Sequence, residues 1–237
     1  MSAFFEYFSD RIGQSGGRCE IHSCHELMAF IQDVGFLPLL DSGVYGYSAE
    51  GVLAEECRFL QFDDGTWEWP LWQWKSAIVT EGNCVYGKFF AGKAGFISRD
   101  WWPDLCNWRR SQHPLPEEGS VEDAILSILR SSGSMIAREL RAACGFTGPK
   151  MRSRFDSYVN RLQMACYIVT EDFVYPRDKH GREYGFGWSL LTTPEHLFGA
   201  EVCQCDRTPE ESYQRMLDHL TRLLPMATEK QLKRLLK

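Results

Sequence analysis

No run of apolar residues in this 237-residue sequence approaches the roughly 18 that a membrane-spanning helix requires, which argues against an integral membrane protein. The opening MSAFFEYFSDR has neither the basic stretch nor the long apolar segment of a secretory signal, so the expected location is the cytoplasm. Paired cysteines are scarce too. Nine cysteines, an odd number, stand singly apart from Cys19/Cys24 and Cys203/Cys205, which speaks against a disulfide framework and for reduced thiols. A positive net charge is also missing: the formal charge is −6, although a net value hides local asymmetry.

What the chain has in quantity is apolar surface. With 44% hydrophobic residues it can bury a sizeable core as one large domain or two small ones. Its charge is unevenly spread. Between Ser134 and Arg182 nine basic residues face five acidic ones, so one segment is basic and the remainder is acidic.

Residues 1–23, which contain GQSGGR, have a turn-like composition and read as a flexible segment. HPLPEEGS reads as a linker, residues 113–119, between a unit over 24–112 and another over 120–193, with a helical tail over 194–237. In the second unit VEDAILSILRSSG has helical spacing, with Ser120 as N-cap and Gly133 as stop. SMIARELRAACGF is a second short helix, and a third runs from Pro149 to about Tyr167. On that third helix Phe155, Val159, Leu162 and Cys166 share one face, and Lys150, Arg154, Ser157 and Arg161 share another. YIVTEDFVY and YGFGWSLLTT flank the basic turn PRDKHGRE as a hairpin. Three helices and a hairpin make the order of a winged helix-turn-helix. In that arrangement Lys150, Arg154, Ser157 and Arg161 face a DNA groove, and Arg177, Lys179 and Arg182 lie on the wing, against phosphates.

The first unit repeats this order less clearly: helices over CHELMAFIQDVG, SAEGVLAEECRFL and PLWQWKSAIVTEG, then a hairpin, CVYGKFFAGKAGFIS, around Gly92. The fold expected is therefore α+β and mostly helical: tandem winged helix-turn-helix units with short β-hairpin wings and a helical C-terminal tail. TPEESYQRMLDHLTRLL in that tail is an amphipathic helix, and its apolar face of Tyr213, Met216, Leu217, Leu220, Leu223 and Leu224 suits a second copy or a protein partner.

Three motifs carry less than their patterns suggest. GKFFAGKA nearly matches a phosphate-binding loop, but Ala94 replaces the magnesium-binding hydroxyl and the context is a hairpin. GQSGG at Gly13–Gly17 fits a nucleophile elbow without the strand and helix that such a turn needs. Cys19, His22, Cys24 and His25 are competent zinc ligands, but a second ligand pair is absent unless Cys203 and Cys205 supply it. No metal and no cofactor is expected. Trp67, Trp69, Trp72 and Trp74 crowd eight residues; core packing is the expectation, because base-stacking platforms carry adjacent cations and Lys75 alone is near.

FIQDVGFLPLL, WQWKSAI, YGKFFAGKAGFISRDWWP, NWRR, LQMACYIVTEDF and TTPEHLFG together resemble the AlkZ-related bacterial proteins, small relatives of the winged-helix AlkZ-type alkylpurine DNA glycosylases. The resemblance runs from about His25 to Gly199. It implies tandem winged helices, and duplex DNA as partner, with alkylated DNA as a candidate form. The glycosylases use a Gln-x-Gln or Gln-x-Asp pair shortly after the first helix to position water and stabilise the sugar cation. Here GFLPLLD places Leu37, Pro38 and Leu39 at that point, and none offers a side-chain hydrogen bond. Asp41 is the nearest carboxylate and the candidate substitute; Gln163, on the third helix of the second unit, is expected to face solvent, DNA or a neighbouring helix. The leading expectation is a duplex-DNA-binding protein without the catalytic pair. The alternatives are a diverged glycosylase that uses Asp41 and a protein-interaction module that does not bind DNA.

Overall fold

The computed structural model describes residues 20–182, 185 and 187–237. The GQSGG motif and Cys19 lie outside them. Ser23 opens helix α1 (Cys24–Val34): its backbone is extended and its hydroxyl accepts the Glu26 N–H at 3.2 Å. Leu27, Phe30, Ile31 and Val34 are buried, the face read from the spacing, and Gly35 ends the helix. Strand β1 (Phe36–Pro38) follows, then α2 (Ala49–Val52). The second helix expected in this unit is thus only four residues long. Its chain turns extended at Leu53 to pair with Ile21: Ile21 donates to the Val52 carbonyl at 3.1 Å and Ala54 to the Ile21 carbonyl at 3.0 Å, so these backbone groups are withdrawn from helix formation.

A two-residue ribbon, β2 (Leu60–Gln61) with β3 (Trp67–Glu68), leads into α3 (Pro70–Glu81) and the hairpin β4 (Cys84–Phe90) and β5 (Lys93–Ser98). Ala91 and Gly92 both have positive φ, 50° and 80°, at its tip, as a tight two-residue hairpin turn demands. A Cβ on Gly92 would come within 2.9 Å of the Asn160 side chain, so this tip meets a helix of the second unit. Helix α4 (Trp102–Gln112) closes the first half.

The second half runs α5 (Val121–Ser132), β6 (Met135–Ile136), α6 (Ala137–Ala143), a 3-10 turn, α7 (Arg152–Met164), β7 (Val169–Val174) and β8 (Trp188–Thr192). Both halves follow the order helix, strand, helix, helix, hairpin. Both also pair the early strand with the second strand of the hairpin, β1 with β5 and β6 with β8. The six strands form one antiparallel sheet, β1-β5-β4-β7-β8-β6, in which the hairpins meet where Tyr86 lies opposite Thr170. This junction puts the two halves on one sheet.

Two apolar clusters follow from that arrangement. The larger is built on the first half and takes in Cys166, Val169 and Phe173 from the second, and the smaller lies under α5, α6 and α7 around Leu129, Leu140 and Phe155. Arg109 stitches the halves. Arg109 is 3% exposed, and its guanidinium donates to the main-chain oxygens of Phe89 at 2.6 Å, Met164 at 2.7 Å and Lys237 at 3.0 Å.

After the short helix α8 (Pro194–Phe198), Thr208 caps α9 (Pro209–Leu223) in a reciprocal capping box with Glu211, and α10 (Glu229–Leu235) follows. Met216, Leu220 and Leu223 of α9 are buried, and Trp108 on α4 packs against Tyr213 with ring centroids 4.5 Å apart. Asp104 on α4, 1% exposed, pairs with Arg207 at 3.2 Å and with Arg215 of α9. Most of the tail's apolar stripe, expected to suit a partner, is thus buried within the chain. No helix among the described residues is long and apolar enough to cross a membrane.

Candidate nucleic-acid interface

Helix α7 carries two polar stripes on opposite sides. Lys150 on the preceding turn and Arg154, Ser157 and Arg161 on α7 are exposed, as their spacing suggests. Arg161 is engaged, however: its Nε donates to Glu122 on α5 at 3.0 Å, and its guanidinium lies 4.6 Å from the Tyr158 ring centre. Ser157 turns its hydroxyl back to the Arg154 carbonyl at 2.7 Å. Arg177, Lys179 and Arg182 are exposed on the turn between β7 and β8, which Asp178 shapes by accepting the His180 and Arg182 N–H groups at 2.7 and 3.0 Å.

The other stripe of α7, Arg152, Asp156, Val159 and Gln163, faces a trough. Arg152 and Asp156, paired at 3.7 Å, line a pocket of about 260 Å³ together with Arg138 and Arg141 of α6 and Trp188 of β8. Arg138 lies over the Trp188 ring, 4.6 Å from its centre. Arg141 is half-buried. Three arginines that line one pocket, with one carboxylate among them, favour an anion, and the fork geometry of arginine matches phosphate oxygens.

Ala137, Asp156, Gly187 and Ser189 also border a second cavity of about 420 Å³, so the two are neighbouring parts of the trough. This cavity spans the sheet junction. Leu39, Trp72, Lys75 and Tyr86 come from the first half, and Gln163, Thr170 and Phe173 from the second. Gln163 is buried rather than turned to solvent: its side-chain carbonyl accepts the Lys88 N–H at 3.3 Å and its amide donates to the Thr170 hydroxyl at 3.4 Å. The stretch aligned with the glycosylase pair is the edge strand β1, with Leu37 and Leu39 buried. Asp41 lies beyond it, exposed, where its carboxylate accepts the Gly43 N–H at 3.0 Å and its carbonyl accepts Lys93 Nζ at 2.7 Å.

The tryptophans form a ladder into this cavity. Trp67, half exposed, stacks on Phe59; Phe59 meets Trp69 edge-on; Trp69 stacks on Trp72 at 5.0 Å. Trp69, Trp72 and Trp74 are partly buried against the core. At the end of the ladder Lys75 is 1% exposed, with its Nζ 3.3 Å from the Trp72 ring centre.

The zinc-like cluster does not assemble among the described residues. His22 pairs with Glu56 at 2.8 Å, the Cys24 thiol points to the Trp74 carbonyl, and Cys203 and Cys205 lie beside Cys106 and Asp104. No group of three or more candidate ligands occurs among those residues.

Sequence reasoning overlooked Lys75, Arg138, Arg141 and Arg152 as site residues. A signal existed for three of them. Lys75 occupies an apolar position in the 71, 75, 78, 79 rhythm of α3, and Arg138 and Arg141 stand three apart on α6. A family model described as AlkZ related matches residues 21–237. No curated protein and no solved structure matches the chain.

Proposed function

This chain belongs to the AlkZ-related family, and from that premise we propose that it binds duplex DNA as a reader of alkylated sites, without the hydrolytic pair of the glycosylases. The family's relation to DNA glycosylases makes nucleic acid the leading partner. The observation that carries the reading is the convergence of Arg138, Arg141 and Arg152 on one pocket in an otherwise acidic chain. Lys150 and Arg154, and Arg177, Lys179 and Arg182 on the β7–β8 turn, are further exposed cations. Phosphate contacts of this kind position a duplex, and their strength depends on salt.

In this reading each helix–strand–helix–helix–hairpin set is a winged helix, with units at 24–112 and 120–193 joined by residues 113–119. Helix α7 is the groove-facing helix of the second unit and the β7–β8 turn its wing. Arg154 and Lys150 supply the outer contacts. Arg161 serves α5 through Glu122 and contributes less than its place on the stripe suggests. The cytoplasm is the compartment where such a chain meets DNA. The inactivity follows from chemistry: leaving-base catalysis stabilises positive charge on the sugar, and Leu37 and Leu39 offer no group for that.

The test pairs binding with chemistry. Anisotropy on plain and N7-alkylated duplexes should show salt-sensitive binding, tighter on the alkylated duplex, and Arg138→Ala with Arg141→Ala should flatten the dependence of log K on log salt by about 0.9 per lost phosphate contact. No alkylated base should be released. Base release that disappears in Asp41→Asn would instead establish a diverged glycosylase, and salt-independent binding unchanged in the arginine variants would remove the pocket from the interface.

A further inference from the structure

Three cysteines from three separate segments meet at helix α4. Cys106 of α4 and Cys203 of the loop between α8 and α9 have their sulfurs 3.3 Å apart, although 97 positions separate them in the chain. Cys166, between α7 and β7, takes a second hydrogen bond from the Cys106 thiol. All three are free; Cys106 and Cys166 are fully buried, whereas Cys203 is partly exposed. Sulfurs at this separation are in contact, and a disulfide bond of about 2.05 Å needs them to close by roughly 1.3 Å. The loop's other thiol, Cys205, lies instead against Ser212, Arg207 and Asp104, at 3.5, 3.7 and 3.8 Å.

The third sulfur prepares the central one. Burial alone would raise the Cys166 thiol, but the S–H that Cys106 donates to it and the charges of Arg109 and Arg110 outweigh burial and bring it below the ordinary cysteine range. Burial, followed by its two sulfur neighbours, holds Cys106 far above that range, so it is a thiol with a proton acceptor beside it. Arg110 also donates to the Cys166 carbonyl at 2.8 Å, and the Nε atoms of Arg109 and Arg110 are buried without a hydrogen-bond partner. Both guanidinium groups thus retain a donor in this buried space, which suits a negative sulfur.

We infer that Cys106 and Cys203 form a reversible disulfide when a hydroperoxide reaches Cys203, and that Cys166 is the base for its closure. The Cys203 sulfur attacks the distal peroxide oxygen, the O–O bond breaks, and the thiol proton leaves with the departing oxygen as water or an alcohol. Cys203 is then a sulfenic acid. Cys106 next bonds to the Cys203 sulfur as its proton passes to the Cys166 thiolate, and the S–O bond breaks. The hydroxide so released takes that proton from Cys166 and becomes water. Two thiols lose two electrons and the peroxide gains them; exchange with a small thiol restores all three cysteines. The bond fastens the α8–α9 loop to α4, the helix whose Asp104 and Arg109 already hold α9 and α7. The inference is independent of DNA binding.

The reduced full chain is treated with hydrogen peroxide in small excess, alkylated under denaturing conditions and mapped by mass spectrometry without reduction. One link, Cys106 to Cys203, should form, disappear with dithiothreitol, and raise the melting temperature by about 4–16 °C, as a bridge across so long a loop does. In Cys106→Ser, dimedone should trap Cys203 as the sulfenic acid. Cys166→Ser should slow closure by at least about tenfold while leaving that trapping in place. Mapping on the unaltered chain decides the site even if a core variant folds poorly. No link, a link from Cys203 to Cys205 or from Cys106 to Cys166, or equal oxidation of Cys24, Cys144 and Cys205 would overturn the inference. Closure at an unchanged rate in Cys166→Ser would overturn the role of the base, and a link without a rise in melting temperature would overturn the fastening of the loop.

Discussion

Replacing Arg109 by methionine should destabilise the fold by about 3–5 kcal/mol. Its guanidinium holds three main-chain oxygens from three separate places: Phe89 on β4, Met164 at the end of α7, and Lys237. A hydrogen bond from a charged donor contributes roughly 1.5–3 kcal/mol net, so three contribute about 5–9 kcal/mol. Methionine recovers part of this, because the buried guanidinium is poorly solvated, as the downward push of burial on its proton affinity indicates, and because the flexible thioether fills part of the space with apolar atoms. Breaking a buried charged contact by removing one partner has a cost in the same range. For a chain of this size about 2–4 °C of melting temperature accompany each kcal/mol, so the transition should fall by about 6–20 °C. Urea denaturation followed by tryptophan fluorescence and by circular dichroism gives the free energy directly. A loss below about 1 kcal/mol would refute the view that Arg109 ties the two halves together.

Other outcomes follow from single side chains. His219 is buried between Phe36 and Trp101 with its Nε2 2.8 Å from the Val34 carbonyl; burial, aided by Arg222 and Arg215, holds its imidazole below the ordinary histidine range, against that hydrogen bond. The unfolded chain therefore takes up this proton first, so the contribution to stability is complete above the unfolded value of about 6.5 and is lost progressively as pH falls from there through the lower folded value. Denaturation midpoints of the protein and of His219→Gln between pH 7.5 and 5 check this, and equal slopes for the two would contradict it. Gln163→Leu should cost about 1–2 kcal/mol, since the Lys88 N–H and the Thr170 hydroxyl lose a partner at the sheet junction; a thermal melt reads it, and a neutral result would mean that these long bonds hold nothing. Asp104→Asn should cost about 3 kcal/mol, because Arg207 and Arg215 then face a neutral amide; urea unfolding measures the loss, and an unchanged midpoint would show the pair to be inert.

Local rules made much of this fold legible. Ser120 and Thr208 cap the helices they precede, the apolar rhythms of α1 and α9 are buried where their spacing puts them, and the hairpin turns at Gly92. What spacing does not reveal is partnership between distant segments. The pairing of Ile21 with Leu53 shortens α2, and the meeting of β4 with β7 merges two hairpins into one sheet; both depend on residues far apart in the chain. The candidate site shows the same division. Exposure of Lys150 and Arg154 follows from helical period alone. The engagement of Arg161 by Glu122, the burial of Gln163 and the grouping of Arg138, Arg141 and Arg152 arise only when α5, α6 and α7 pack.

The most direct test of the central claim is the affinity of the full chain for a duplex, by fluorescence anisotropy from low to moderate salt. The three pocket arginines contribute about −2.7 to the log–log slope, which alone corresponds to roughly a fortyfold loss of affinity over a fourfold rise in salt, and Arg141→Ala should flatten the slope by about 0.9. No binding even at low salt would contradict the account and leave the basic trough without a nucleic-acid role.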